Sequence, residues 1–544
     1  MSLHPEITPT VELRAPDTVM RLDRLGASFP TPLSFMRRLV RALIAERSEL
    51  TYPVWDIDAD GHGRAVLSVK LGGHIYSLIA YSNAIPDDAR TDRVIAEVWD
   101  TTFTLFDGLP TTADLNRLAS EVPRQEAGRM QPTELILSRA NKSMRLFKHV
   151  VSELAEGRQP DATQIGQIGY LMRTTAVYGN GKFGIADREK FKDRPVLNGP
   201  FAAEMLTVWL IRQFTLALVE HVARAKGGDA AVRLEPRLKR HLGIGNSTGL
   251  GMAPFLVNHP GLLHAWVHAR ETALAQVLSA PQNTGQLQVL LTRAKAHVAE
   301  WNVDDTVQMP RIKTLRTELE TLRPDTMWED ARDKSAECQE LVVALLLEAH
   351  PAVCNALCET MGDNRVPHFD PSVSCADMQA RLRRTHGWAL DIDLEAPGAD
   401  DLFWYVSEDK LEPRLGERHV IPGAERESPL DIAQQVKSLS RALNESNGQD
   451  PLAVLLMAEP EHRRIARRIQ AFGALDYAEV RDNLIDASTR PIDLLRAKLS
   501  VFGAAKFDPK SDRWTRVTLF QGAPLAEEIA AGTATDDWAF PVLE

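Results

Sequence analysis

The stretch Gly243-Ile-Gly-Asn-Ser-Thr-Gly-Leu-Gly251 sets Gly243, Gly245, Gly249 and Gly251 around Asn246, Ser247 and Thr248. These residue types suit an anion. Glycines let backbone N–H groups come close to a ligand, and successive N–H groups form an anion-binding concavity. Ser247 and Thr248 add hydroxyls. The residues just before carry Arg224, Lys226, Arg233, Arg237, Lys239 and Arg240 against Asp229 and Glu235, a local positive excess in a chain of net charge −11. A second glycine element surrounds Lys182 with Gly179, Gly181 and Gly184, and has Arg173, Tyr178 and Arg188 nearby. A lysine set between glycines reaches an anion as a point charge. If both elements face one cleft, Arg173, Tyr178, Lys182, Arg188, Arg237, Arg240, Asn246 and Thr248 bind a carboxylate or phosphate there. The plainer reading of the same residues is a solvated helix face beside tight turns.

Proton transfer at such a site falls to a hydroxyl or an imidazole. Ser247, His259, His264 and His419 are the candidates, since histidine titrates near neutrality. His264 and His268 are four residues apart on an expected helix, as two ligands of one metal can be, but the intervening glutamate of a metalloprotease helix is missing. Cys354 and Cys358 share that spacing, which is not a zinc knuckle and reads as buried small side chains. No metal is therefore assigned, and the cofactor stays open.

Three known patterns overlap the glycine stretch. Gly245-Asn-Ser247-Thr-Gly249 resembles the nucleophile elbow of serine hydrolases, which needs a buried strand immediately before it. The charged run RLEPRLKRHL stands there instead. Gly245, Gly249 and Gly251 resemble the glycine motif of short-chain dehydrogenases, again without the strand and without a following Tyr-x-x-x-Lys pair. Gly245-Asn-Ser247 with Met252-Ala-Pro254 is similar, over about a dozen residues, to the serine-containing substrate loop of the fumarase/aspartase superfamily. The spacing is wider here, and the lysine and asparagine that follow in that family are not matched. The resemblance does not assign the chain to that family.

Composition sets the outer limits. The 544 residues are 44% hydrophobic and 25% charged, enough for a large core with an ordinary surface. Net acidity argues against non-specific nucleic-acid binding. Four cysteines make no disulfide framework and point to the cytoplasm. The N-terminal residues lack the apolar run of a signal peptide. The apolar stretch 201–228 is interrupted by Glu204, Arg212 and Glu220, so it reads as a core helix ended by Gly227-Gly228 rather than a membrane span.

The elements that must hold these residues follow from periodicity. AVLSVKLGGHIYSLIAYS, residues 65–82, predicts a hairpin turning at Gly72-Gly73. Asp161 to Gly179 predicts one helix with Ile165, Ile168, Met172 and Ala176 on a face. Ser428-Pro429 opens a helix with an apolar stripe of Ile432, Val436, Leu439 and Leu443, and RWTRVTLFQG reads as extended. The expected fold is α+β and predominantly α-helical: a small N-terminal α+β domain with a β-hairpin (1–125), a mainly helical domain holding both glycine loops (126–380), an aromatic-rich loop or small sheet (381–427) and a C-terminal helical region (428–544).

The function that fits is a soluble enzyme acting on a small anionic substrate by acid–base chemistry, of the lyase kind. A homo-oligomer is compatible with it. A nucleotide- or flavin-dependent oxidoreductase and a non-enzymatic multi-domain scaffold are the alternatives.

Overall fold

The computed structural model describes residues 12–86, 99–124, 131–174, 193–249, 259–301, 306–363, 367–403, 429–481 and, from 484 onward, all but 487, 504, 505, 510, 511, 513 and 544. One nine-stranded sheet organises these residues, in the order β1-β2-β3-β4-β5-β6-β7-β9-β8. Its strands are β1 (Leu50–Ile57), β2 (Gly63–Leu71), β3 (His74–Ser82), β4 (Thr101–Asp107), β5 (Glu134–Lys142), β6 (Tyr170–Thr174), β7 (Gly243–Gly249), β8 (Lys506–Pro509) and β9 (Trp514–Leu519). β1 to β6 run antiparallel in sequence order. β6 and β7 are parallel, and β9 pairs antiparallel with both β7 and β8.

The expected hairpin is present as β2–β3, with Leu71 opposite His74 across the two glycines. Its setting is not the expected one. The small N-terminal hairpin domain is replaced by a single mixed sheet that takes strands from residues 50–174, 243–249 and 506–519. The helical excess of the remainder stands.

Two further corrections concern the elements around the glycines. Asp161 caps a helix as expected, accepting from the N–H of Thr163, but the helix is only Ala162–Ile168. Gly169 follows with φ 78, a left-handed C-terminal cap, and the chain leaves as β6. Gly251 lies outside the described residues, but from Gly243 to Gly249 the supposed glycine loop is itself strand β7, with β6 on one side and β9 on the other. Its backbone groups are therefore committed to ladders and do not form a free anion nest.

The glycines of β7 are explained by close approach. A Cβ at Gly243 would lie 2.2 Å from the carbonyl oxygen of Leu519, and one at Gly245 would lie 2.7 Å from the Tyr170 ring. Gly243→Ala must push β9 away, and is expected to cost about 1–3 kcal/mol, as overpacking does. A shift of the urea midpoint would measure it. An unchanged midpoint would mean that β9 accommodates the methyl group.

Helix Ala202–Gly227 packs on the inner face of the sheet. Phe214 meets Trp55 of β1 and Phe103 of β4, with ring centroids 5.9 and 5.5 Å apart. This helix is long and apolar enough to cross a membrane, but 89% of its most apolar window is buried inside the protein, so it serves as a core helix. Arg212 in its middle is fully buried. Its guanidinium donates to the carbonyls of Leu242 (2.8 Å), Ala523 (3.1 Å) and Pro524 (3.2 Å). One side chain thus ties the helix to the start of β7 and to the turn after β9. Burial, with Arg240 nearby, lowers its pKa to about 10. On the outer face, helix Thr112–Glu121 covers Val66, Ile79, Tyr81 and Phe106 through Leu115 and Leu118.

Candidate functional site

β6 and β7 run parallel, so residues 175–192 and 250–258 continue the chain from the same edge of the sheet. In open sheets, ligand groups gather outside the carboxyl ends of parallel strands. Tyr178, Lys182 and Arg188 fall in the first of these segments and lie outside the described residues, as does His419. The strands leading into both segments can be read directly.

Alternation along a strand divides the expected site between two faces. Gly245 pairs with Arg173 of β6 and with Thr518 of β9, and position 247 pairs with Arg516. Arg173 also pairs with Asn141 of β5, two residues from Arg139. Arg139, Arg173 and Arg516 therefore rise from β5, β6 and β9 on one face, the outer one, and each is half-buried. Neighbouring strands are about 4.8 Å apart, so three arginines span only about 15 Å across four strands. Position 247 lies directly opposite Arg516, two residues along β7 from the partner of Arg173. Gly245 matters here because it has no side chain: the Tyr170 ring lies against it, and the Arg516 guanidinium stands 5.9 Å from that ring's centroid. On the same face, Arg139 stands 4.6 Å from the Trp99 ring centroid, and burial lowers the Arg139 pKa.

Asn246 and position 248 face the other way. Asn246 is completely buried on the inner face, where its Nδ2 donates to the Thr174 carbonyl at 3.0 Å. That bond ties the carboxyl ends of β6 and β7 together, while the Asn246 Oδ1 has no partner among the described residues. The Thr174 hydroxyl meets the Ser138 hydroxyl at 3.0 Å on the same side.

The remaining expected residues are elsewhere. Arg237 and Arg240 sit on helix Pro236–His241, before β7, at its amino end. Seven residues of strand put roughly 20 Å between them and the edge where 250–258 begins. Arg237 pairs with Glu235 at 3.0 Å, and Arg240 with Glu528 at 3.4 Å. His259 stands at the N-cap position of helix Pro260–Ser279 without a side-chain cap bond.

His264, one turn further on, stacks against Tyr477 and lies 5.6 Å from the His268 ring. Its Nδ1 accepts from the Tyr477 N–H at 3.1 Å. Burial, then His268, pushes its pKa down. The helix packs against Ala336–Glu348 and Pro351–Leu357 rather than beside β7. His264 is thus a neutral, tethered imidazole away from the arginine face. Among the described residues, only Glu459, Glu461 and His462 bring three metal-ligating side chains together, and Glu461 is exposed.

The residues missed from the sequence are Arg139, Tyr170 and Arg516. In β5 the alternation Ile136, Ser138, Ala140 against Leu137, Arg139, Asn141 carries a signal, but only strand pairing shows which arginines meet.

Comparison with protein-family models, with curated proteins and with solved structures finds no match to this chain.

Proposed function

We propose that the protein is an enzyme acting on a small anionic substrate, a carboxylate or phosphate, by acid–base chemistry of the lyase kind, with the anion seated on the outer face of the sheet, over the Tyr170 ring that covers Gly245. The observation that carries this reading is the placement of Arg139, Arg173 and Arg516 on one face of four neighbouring strands, with the Tyr170 ring filling the space over Gly245. Arginine presents a planar fork of donors to a carboxylate or phosphate. Ser247, at the position opposite Arg516 in register, and Tyr170, whose ring lies against Gly245, are the hydroxyl residues proposed for proton transfer.

The four cysteines are all free and buried, which supports placing the enzyme in a reducing cytoplasm. The partner is the small anion. Nucleic acid and membrane have no part in this reading, and a homo-oligomer is compatible with it. The oxidoreductase and scaffold readings separate from it in one screen. Phosphate, succinate, malate, a dinucleotide and a flavin are each added in a thermal-shift assay. A ligand that binds only the folded state raises stability, by about 2.7 kcal/mol at a hundredfold excess over its Kd. The expected result is a shift with at least one of the simple anions. A shift confined to the flavin or dinucleotide favours the oxidoreductase, and none at all sinks the anion reading.

A further inference from the structure

We propose that the substrate is a dianion whose two anionic groups stand about 10 Å apart, and that Arg139, Thr102 and Trp99 form the seat of the second group. The inference rests on the reading of the arginine face given above and deepens it, because one small anion over the Tyr170 ring leaves Arg139 out of reach.

Strand register fixes the spacing. Arg173 stands opposite Asn141 of β5 and Gly245 of β7. Arg139 lies two residues from Asn141, past Ala140, which pairs with Thr174, and so on the side of the carboxyl end of β6. Arg516 stands opposite position 247, two residues nearer the carboxyl end of β7 than Gly245. Arg139 and Arg516 are therefore level with each other and three strand spacings, about 15 Å, apart, while Arg173 is set back from both by about 7 Å.

Both level arginines rest on rings, and the rings keep them apart. Arg516 stands 5.9 Å from the centroid of the Tyr170 ring, which lies against Gly245 of β7. Arg139 stands 4.6 Å from the centroid of the Trp99 ring. Trp99 leads into β4, which lies on the far side of β5 from β6. A carboxylate or phosphate over Tyr170 is thus about two strand spacings, roughly 10 Å, from Arg139, farther than one such group can bridge.

The surroundings of Arg139 call for an acceptor of their own. Thr102 stands directly opposite it on β4, on the same face. Thr102 is 3% exposed, and its hydroxyl has no partner among the described residues. The indole Nε1–H of Trp99 is likewise buried and without an acceptor among the described residues. A buried donor left unpaired costs stability, so two of them beside a guanidinium mark a place for an acceptor. A guanidinium fork, an indole N–H and a hydroxyl together suit an oxyanion. Carboxylate and phosphate both meet that requirement, so the spacing of the charges defines the class.

The test is a calorimetric titration of the full-length protein at pH 7.5 with matched pairs of ligands. Azelate holds its two carboxylates about 10 Å apart when extended, and its monomethyl ester has the same length with one charge. Hexanediol bisphosphate and hexyl phosphate pose the same question for phosphate. Succinate has two charges too close together to reach both seats. In at least one pair the dianion is expected to bind at least about tenfold more tightly than its monoanion and than succinate, the scale of one charge-assisted contact. Arg139→Gln is expected to bring that dianion-to-monoanion ratio to within about twofold of unity, with circular dichroism reporting an intact fold. Thr102→Val, nearly the same shape without the hydroxyl, should lower the ratio as well and serves if the arginine variant does not fold. Monoanions and succinate that bind while neither dianion gains would overturn this proposal alone. A ratio that persists in both variants would overturn the assignment of the second seat. No binding by any of these ligands would overturn the arginine-face reading and this proposal with it.

Discussion

Glu340→Ala is expected to cost about 3–5 kcal/mol of stability, the scale seen when one partner is removed from a buried ion pair. Glu340 and Glu271 have fully buried side chains and share three arginines. Arg14 reaches Glu271 at 2.6 Å and Glu340 at 2.9 Å. Arg24 reaches Glu340 at 3.0 Å, and Arg270 bridges both carboxylates. The cluster joins the N-terminal segment to helices Pro260–Ser279 and Ala336–Glu348. Removing Glu340 leaves three guanidiniums with one carboxylate, and that of Arg270 is fully buried, where water cannot compensate it.

The same geometry fixes a pH dependence. Burial alone would raise the Glu340 pKa, but Arg14 and Arg270 outweigh it and hold the carboxyl well below its usual range. A depressed pKa contributes stability that is present above the unfolded value of about 4.3 and is lost as pH falls toward the folded one. Acid unfolding below pH 4 should therefore be shallower in Glu340→Gln than in the unaltered chain. Urea midpoints at pH 7 provide the primary measurement. Glu320→Ala, which breaks an exposed pair with Lys295, is the control and should stay within about 1 kcal/mol. A Glu340 variant no worse than this control would show that the cluster contributes no net stability.

Arg173→Ala is expected to weaken the anion that gives the largest thermal shift by about 10- to 100-fold, and Arg516→Ala by a similar amount. A hydrogen bond to a charged group contributes about 1.5–3 kcal/mol. Both residues sit on strands whose ladders do not depend on their side chains, and both are half-buried rather than core. The variants should fold with unchanged secondary structure, so the loss can be assigned to binding. Arg237→Ala, at the opposite end of β7, should leave affinity unchanged. Equal losses in all three would mean that general positive charge, rather than this face, attracts the anion.

Local chemistry made some of this legible from the chain. The hairpin at Gly72-Gly73, the core helix ended by Gly228, the Asp161 cap and the apolar stripe of helix Pro429–Glu445 are each set by neighbours in sequence, and each is present. β6 was hidden because Met172 continues the helical spacing of Ile165 and Ile168, while Gly169 turns the chain between them. β7 was hidden for a different reason. Ile244 is its sole strongly apolar residue, so it carries no period-two signal, and its conformation is imposed by β6 and by β9, more than 260 residues later. The same long-range pairing places Arg516 beside Arg173. The sequence showed the glycines and the positive charge, but assigned the charge to the run before β7 rather than to the strands beside it.

The claim that an anion sits over the Tyr170 ring is tested most directly by locating it. Crystals soaked with whichever of phosphate, succinate or malate stabilises the protein most should show it within hydrogen-bonding distance of Arg173 and Arg516, on the face of the Tyr170 ring. The same anion found only at the amino end of β7, beside Arg237 and Arg240, or bound nowhere near the β6–β7 edge, would contradict the account.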